Sequence, residues 1–167
     1  MPISLTRVIR VQRTGSTDLQ YPPNGASSGL TCAVGDLVSL DVNGRVTQAG
    51  AVGANLVAAV RFGVANEAIT AATQGANLGV EKLDDDTLIE LPVTAADVAI
   101  ATPATTAPTL IGKQFEVRRV TTSGIYTVDS SATTNVKVEV VALGNTFPTS
   151  DNFATVICKV LAGARLN

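Results

Sequence analysis

The 167-residue sequence contains no histidine, no tryptophan, one methionine and two cysteines, and only 4% of its residues are aromatic. Without histidine the chain lacks the commonest general base and metal ligand, which excludes Ser-His and Cys-His nucleophile pairs. The cysteines and carboxylates do not have the spacing of a structural zinc module. We therefore expect no catalytic residues, no cofactor and no bound metal.

The chain also lacks a strong charge of either sign. Twelve basic and 14 acidic residues give a formal net charge of −2, so no clustered basic face for nucleic acid is expected. Apolar runs are interrupted well before the roughly 20 residues that span a bilayer, and residues 1–13 lack the apolar core of a signal peptide. We expect a soluble protein, made in the cytoplasm, that binds neither nucleic acid nor membranes.

Small and β-branched apolar residues make up most of the hydrophobic 46% of the chain and suit pleated sheets. Val38, Leu40 and Val42 alternate, Asn43-Gly44 favours a two-residue turn, and Val46 begins a return strand. No window shows the period of an amphipathic helix. The pattern predicts an all-β fold, a small antiparallel β-barrel or a two-sheet sandwich.

Further alternating segments predict the remaining strands, with Leu56 to Val64 presenting one apolar face. The other predicted strands cover residues 78–83, 88–93, 113–120, 125–128, 136–141 and 154–161. Asp84-Asp85-Asp86 could hold calcium, but consecutive side chains on a turn diverge, which favours a solvated hairpin turn. The strands divide into two halves, 33–93 and 112–161, joined by the Ala/Thr/Pro-rich connector 95–109, where a short helical turn is possible.

The N-terminal region differs from the rest. Its apolar residues alternate, and Pro22-Pro23 then excludes both a helix and a central strand. One interpretation is an extended arm and linker over residues 1–32, followed by a β-barrel or sandwich domain over 33–167. The other is a first barrel strand followed by a long loop. On the arm interpretation, the predicted interaction residues are Ile3, Leu5, Arg7, Ile9, Arg10, Val11, Arg13 and Tyr21.

Three other side chains carry expectations. Arg118 is expected to be solvated, on a face that a neighbouring subunit could meet. Strand alternation places Cys158 on one face with Val156 and Val160, which favours buried thiols at Cys32 and Cys158. A disulfide between them in an extracellular particle is the alternative.

Two stretches of sequence resemble phage head decoration proteins, also called cement or head-stabilising proteins. The first is AVGDLVSLDVNGRVTQAG, followed by the Gly-Val pairs of RFGVAN and NLGVEKL. The second is IGKQFEVRRVTTSGIYTVDSSATTNVKVEVVALG. The resemblance, over roughly residues 33–161, implies a β-barrel or β-tulip-like module outside the capsid, often a trimer at quasi-threefold positions, with no catalytic residues or cofactor. Some such proteins reach a neighbouring subunit with an N-terminal extension.

The leading hypothesis is therefore a structural protein of the virion. It would bind the major capsid protein and copies of itself, as a homotrimer, at joints between capsomers on the capsid exterior. A tail, fibre or head-to-tail joining component is the alternative. A carbohydrate- or small-ligand-binding β module is less favoured, because Tyr21 and Tyr126 are the only tyrosines and there is no tryptophan to stack on a sugar. An enzyme is the least favoured class.

Overall fold

The computed structural model describes residues 10–13, 19–95, 108–121, 123–144 and 155–166. Their fold is all-β, as the sequence predicts. The described strands are β1 Arg10–Arg13, β2 Leu19–Gln20, β3 Leu37–Leu40, β4 Val46–Gln48, β5 Gly63–Ala65, β6 Val80–Glu81, β7 Thr87–Thr94, β8 Gln114–Arg119, β9 Tyr126–Asp129, β10 Val138–Leu143 and β11 Thr155–Val160. Two short 3₁₀ turns cover Pro108–Leu110 and Ala162–Ala164.

The last five strands form a closed barrel. Their order is β7-β11-β10-β8-β9, and β9 returns to pair with β7. All neighbours are antiparallel except β7 and β9, where Val93 lies opposite Val128 in a parallel pair. Strand β7 can pair with three other strands because it is eight residues long. It pairs with β1 over its first half, with β11 along its middle and with β9 at its end.

The remaining strands form an open five-stranded sheet, which we call the small sheet, in the order β2-β6-β5-β3-β4. Its strands are two to four residues long, so turns and loops make up much of this layer. The predicted Asn43-Gly44 turn joins β3 to β4, with Gly44 at a φ of 70°. A positive φ is the reason that this turn takes glycine.

Each layer contains its own group of buried apolar side chains. The barrel group includes Leu91, Val117, Val138 and Val156, which alternate inward from four different strands. The small-sheet group includes Ala26, Leu30, Val38, Val46 and Leu78. Because Leu37 of β3 and Val64 of β5 belong to the barrel group, the inner face of the small sheet covers the barrel.

The four strands predicted over residues 113–161 are confirmed, within two residues at each end. The predicted strand from Leu56 to Val64 is wrong over most of its length, because only Gly63–Ala65 is a strand and Ala58 is exposed. The predicted 84–86 hairpin is also wrong. Strands β6 and β7 flank this turn but belong to different sheets, so the chain passes between layers there. The two predicted halves therefore separate after residue 83, and not at the connector.

The N-terminal region contributes to both layers where it is described. β1 pairs with β7, Arg10 lying opposite Glu90 and Arg13 opposite Thr87. β2 is an edge strand of the small sheet and pairs with β6. Ala26 and Cys32 are buried against that sheet. The domain boundary between residues 32 and 33 stays a prediction.

Candidate interaction surfaces

The loop that follows β4 is attached to the barrel by backbone hydrogen bonds. The amide of Gly53 donates to the carbonyl of Arg119 at 2.7 Å, and the amide of Leu56 donates to the carbonyl of Val117 at 2.8 Å. In return, the amide of Arg119 donates to the carbonyl of Ala54 at 3.1 Å. The loop thus pairs with β8 much as a neighbouring strand would.

Arg118 reinforces this attachment. Its Nε donates to Oδ2 of Asp129 at 3.0 Å, and its Nη1 donates to the carbonyl of Gly53 at 3.0 Å. The Arg118 side chain is 15% exposed and that of Asp129 is 1% exposed. The prediction of a solvated Arg118 is therefore wrong. Alternation does direct Arg118 away from the barrel interior, but the loop covers that outer face.

Two more buried polar side chains hold neighbouring segments. Glu116 accepts hydrogen bonds from the amides of Thr134 and Asn135 at 2.9 Å and from Nδ2 of Asn55 at 2.8 Å. Lys137 donates from Nζ to the carbonyls of Ala58 and Val60 at 2.9 and 2.8 Å. Burial lowers the pKa of Lys137, and the nearby charge of Glu116 opposes that shift. The loop is therefore fixed at both of its ends.

The outer surface of this loop is apolar. From residue 46 to residue 60 the chain contains no Asp, Glu, Lys or Arg. Val52 and Val57 are 48% and 60% exposed, and Ala51, Ala54 and Ala59 are also exposed. We call residues 51–60 the apolar loop. A rigid backbone that presents apolar side chains to solvent is typical of a protein contact surface.

The predicted interaction residues of the arm are only partly described. Ile3, Leu5, Arg7 and Ile9 lie outside the described residues. Arg10, Val11 and Arg13 lie in β1, at the edge of the larger sheet. Tyr21 is 55% exposed just after β2, at an edge of the small sheet. The structure thus places Arg10, Val11 and Arg13 on one sheet edge and Tyr21 on another, and their role in binding stays a prediction.

The C-terminal segment also connects the two layers. Phe62 donates from its amide to the carbonyl of Ala164 at 2.8 Å and accepts from the amide of Leu166 at 3.0 Å. Between them, Arg165 pairs with Asp85 at 2.8 Å, and Lys159 lies 3.4 Å from the same carboxylate. Hydrogen bonding and charge from Arg165, followed by those from Lys159, lower the pKa of Asp85.

The other two acids of the Asp84-Asp85-Asp86 turn have different surroundings. Asp84 accepts hydrogen bonds from the hydroxyl of Thr87 and the amide of Asp86, while Asp86 is exposed. Among the described residues, no group of three or more Cys, Asp or Glu side chains is arranged to hold a metal ion. In this turn, the side chains of Asp84 and Asp85 have separate structural contacts.

Asp41 contributes to the fold of the β3–β4 turn. Its Oδ1 accepts from the amides of Asn43 and Arg45 at 2.8 and 2.9 Å, and its Oδ2 accepts from the hydroxyl of Ser27. Hydrogen bonds from Arg45 and Asn43 contribute to a lowered pKa of Asp41, with burial opposing them. The sequence predicts Asp41 as a solvated strand position, and the alternation of the strand gave no signal of its capping role.

Both cysteines are buried, and neither takes part in a disulfide. Cys32 belongs to the apolar group of the small sheet and Cys158 to that of the barrel. Burial raises the pKa of Cys158. This arrangement agrees with the expectation of two buried small apolar side chains.

Comparison with known proteins identified no relative, since no family model, no curated protein and no solved structure matches the chain. No helix within the described residues is long and apolar enough to cross a membrane.

Proposed function

We propose that this chain is a structural protein of a phage virion, a decoration protein that binds the outer surface of the head. Its partners would be the major capsid protein and two further copies of itself, at the joints between capsomers. Binding to the assembled shell alone would stabilise that shell by mass action, by RT ln(1 + [L]/Kd) per site. The proposal rests on the sequence resemblance and on the surface features of the fold.

The observation that carries the proposal is the apolar loop. It is charge-free, exposes Val52 and Val57, and is held on β8 by paired backbone groups. Because the loop is already ordered, binding through it would incur little loss of conformational entropy. Such a surface suits a permanent contact with another protein, either a second copy or the capsid.

Strand β1 provides the second supporting feature. The barrel is closed by β7 to β11, so β1 lies outside the closed set as an edge strand. The outer edge of such a strand can add to a sheet of another protein through main-chain hydrogen bonds. We propose that the predicted arm residues extend this pairing toward a capsid subunit.

Co-sedimentation of the purified chain with undecorated phage heads tests the proposal. The wild-type chain should saturate the heads at hundreds of copies and raise their resistance to heat. Val57→Asp should weaken binding about tenfold or more, because it places a charge in an apolar contact. Val34→Asp is the matched control, since Val34 is 59% exposed and Val57 60% exposed. Unchanged binding by Val57→Asp would remove the apolar loop from the proposal.

Light scattering measures the copy number of the free chain, for which we expect a trimer. Saturation at about a dozen copies per particle, without a gain in head stability, would instead assign the chain to a tail or joining role. Deleting residues 1–13 tests the arm separately. We expect the closed barrel to fold without β1, so full-strength binding by the truncated chain would eliminate the arm as a contact.

A further inference from the structure

A polar cleft of about 290 Å³ lies where the small sheet meets the end of β8. Its lining includes the hydroxyl side chains of Ser27, Ser28, Thr31 and Thr47, together with Gln48 and Arg119. Among the described residues that line the cleft, Arg119 is the only charged one, so the lining carries a positive charge. Its size is near the lower end of the range for small-molecule sites.

Arg119 is held in a defined orientation. Its Nη1 donates to the carbonyl of Gly50 at 3.3 Å, and its Nη2 donates to Oε1 of Gln48. The guanidinium carbon lies 5.8 Å from the centre of the Tyr126 ring. The hydroxyl of Tyr126 in turn donates to the carbonyl of Ala49 at 2.9 Å, which fixes the ring. A ring and two neutral oxygens therefore position this cation.

The charge of Arg119 has no direct counter-ion among the described residues, where the ion pairs of Arg118, Lys159 and Arg165 involve other acids. Its Nε is buried without a hydrogen-bond partner in this part of the chain. Gln48 connects Arg119 to a buried acid: Asp36 is 2% exposed and accepts from Nε2 of Gln48 at 3.4 Å. Asp36 thus lies behind the Gln48 amide and orients its oxygen toward Arg119.

We propose that this cleft binds a small oxyanion, a phosphate or a carboxylate group, through Arg119, with the hydroxyls of Ser28, Thr31 and Thr47 as further donors, since the Ser27 hydroxyl already donates to Asp41. A planar guanidinium with unused donors suits the oxygen pairs of these groups. Serine and threonine hydroxyls can donate to the remaining anion oxygens. The ligand is a free small molecule, and this site is independent of the capsid-binding role.

Isothermal titration with inorganic phosphate and with acetate tests the site, at an ionic strength held constant with sodium chloride. We expect saturable binding of at least one of the two anions, and the stronger of them identifies the group. Arg119→Gln should weaken this binding about tenfold or more, since hydrogen bonds to charged groups are the stronger ones. Arg61→Gln is the control, because Arg61 is exposed and does not line the cleft.

A second pair of variants leaves Arg119 in place, in case its replacement disturbs folding. Ser28 is exposed at the cleft, so Ser28→Glu adds a carboxylate that should compete with the anion, while Ser28→Gln adds the same bulk without charge. We expect weaker binding for Ser28→Glu alone. Absence of saturable binding by both anions in the wild-type chain would overturn the proposal. The proposal would also be overturned if folded Arg119→Gln bound the anion as tightly as the wild-type chain. Equal affinity of Ser28→Glu and Ser28→Gln for the anion would overturn it as well.

Discussion

The barrel and the small sheet are stabilised differently, although they belong to one chain and share a contact surface. In the barrel, strands of four to eight residues pair around a closed ring, and apolar side chains alternate inward. In the small sheet, strands of two to four residues are joined by one tight turn, between β3 and β4, and by connections of 14 to 16 residues that contain further turns. Of the nine described glycines with positive φ, seven lie between Gly25 and Gly75. The barrel thus depends mainly on strand pairing, and the small sheet on turn geometry.

Truncating one buried leucine in each layer tests this comparison directly, and the barrel variant should give the largest effect. Leu91→Ala in the barrel should lower the free energy of unfolding by about 4 kcal/mol, through lost burial and a residual cavity. Leu78→Ala in the small sheet should cost about 2 kcal/mol, because short strands and loops can close around the gap. Both side chains are almost fully buried. Urea denaturation measures both values.

Hydrogen exchange on the same two variants sharpens the comparison. Leu78→Ala should accelerate amide exchange in the small sheet and leave the barrel amides protected, since local opening can occur in the less stable region. Equal acceleration in both layers would show that they unfold as one cooperative unit, and the distinction between them would fail.

Removing the charge of Arg118, which connects Asp129 of β9 to the apolar loop at Gly53, should have the next largest effect. Arg118→Met keeps most of the apolar stem but leaves Asp129 buried without its ion pair, at a cost of about 3 kcal/mol. The double variant Arg118→Met/Asp129→Asn should recover part of the loss. Arg61→Met, at an exposed position, should change stability by less than about 0.5 kcal/mol. A similar small change for Arg118→Met would show that the backbone pairing alone holds the loop.

A glycine substitution tests the dependence of the small sheet on its turns. Gly44→Ala forces a side chain into a φ of 70° and places its Cβ 2.9 Å from Nδ2 of Asn24. The expected cost is about 1–2 kcal/mol. Gly163→Ala is the control after the barrel, since a Cβ there meets nothing within 4 Å. Equal thermal stability of the two variants would contradict the importance of the turn conformation.

The smallest predicted effect concerns the pH dependence of the ion pair between Asp85 and Arg165. Because the folded state lowers the pKa of Asp85 below its ordinary 3.8, the ionised group stabilises the fold above that value. The contribution is lost as the pH falls through the lower, folded pKa. Asp85 is largely exposed, so the effect is small and screened by salt. Asp85→Asn should therefore lower the melting temperature slightly at pH 7 and by progressively less as the pH falls below 3.8, whereas Asp86→Asn should leave it unchanged over the same range.

Much of the barrel could be predicted from the sequence because its strands follow a simple alternation. The strands predicted over residues 136–141 and 154–161 were placed to within two residues at each end, since inward apolar positions repeat every two residues. The same rule failed for Leu56 to Val64, where the alternation is accidental. There the carbonyls of Ala58 and Val60 accept from Lys137 instead of from a neighbouring strand.

The contacts of the candidate surfaces were less accessible to sequence reasoning. Asn55 and Glu116 are 61 positions apart, and Gln48 and Arg119 are 71 apart, so no local pattern relates them. Arg118 was expected to be solvated because its strand directs it outward, and that reasoning did not take into account the loop that covers it. The sequence did offer one signal of the apolar loop, because residues 46–60 contain valines and no charged residue. Alternation instead assigned the part of this stretch from Leu56 onward to a strand.

The placement of the cysteines gives the protein one natural reporter for each layer. Cys32 belongs to the apolar group of the small sheet and Cys158 to that of the barrel, and both are buried and form no disulfide. A thiol reagent can label each cysteine only when its layer opens, so the two labelling rates separate local from global opening without any introduced probe. On an assembled particle, the same two rates would tell which layer the neighbouring protein holds closed.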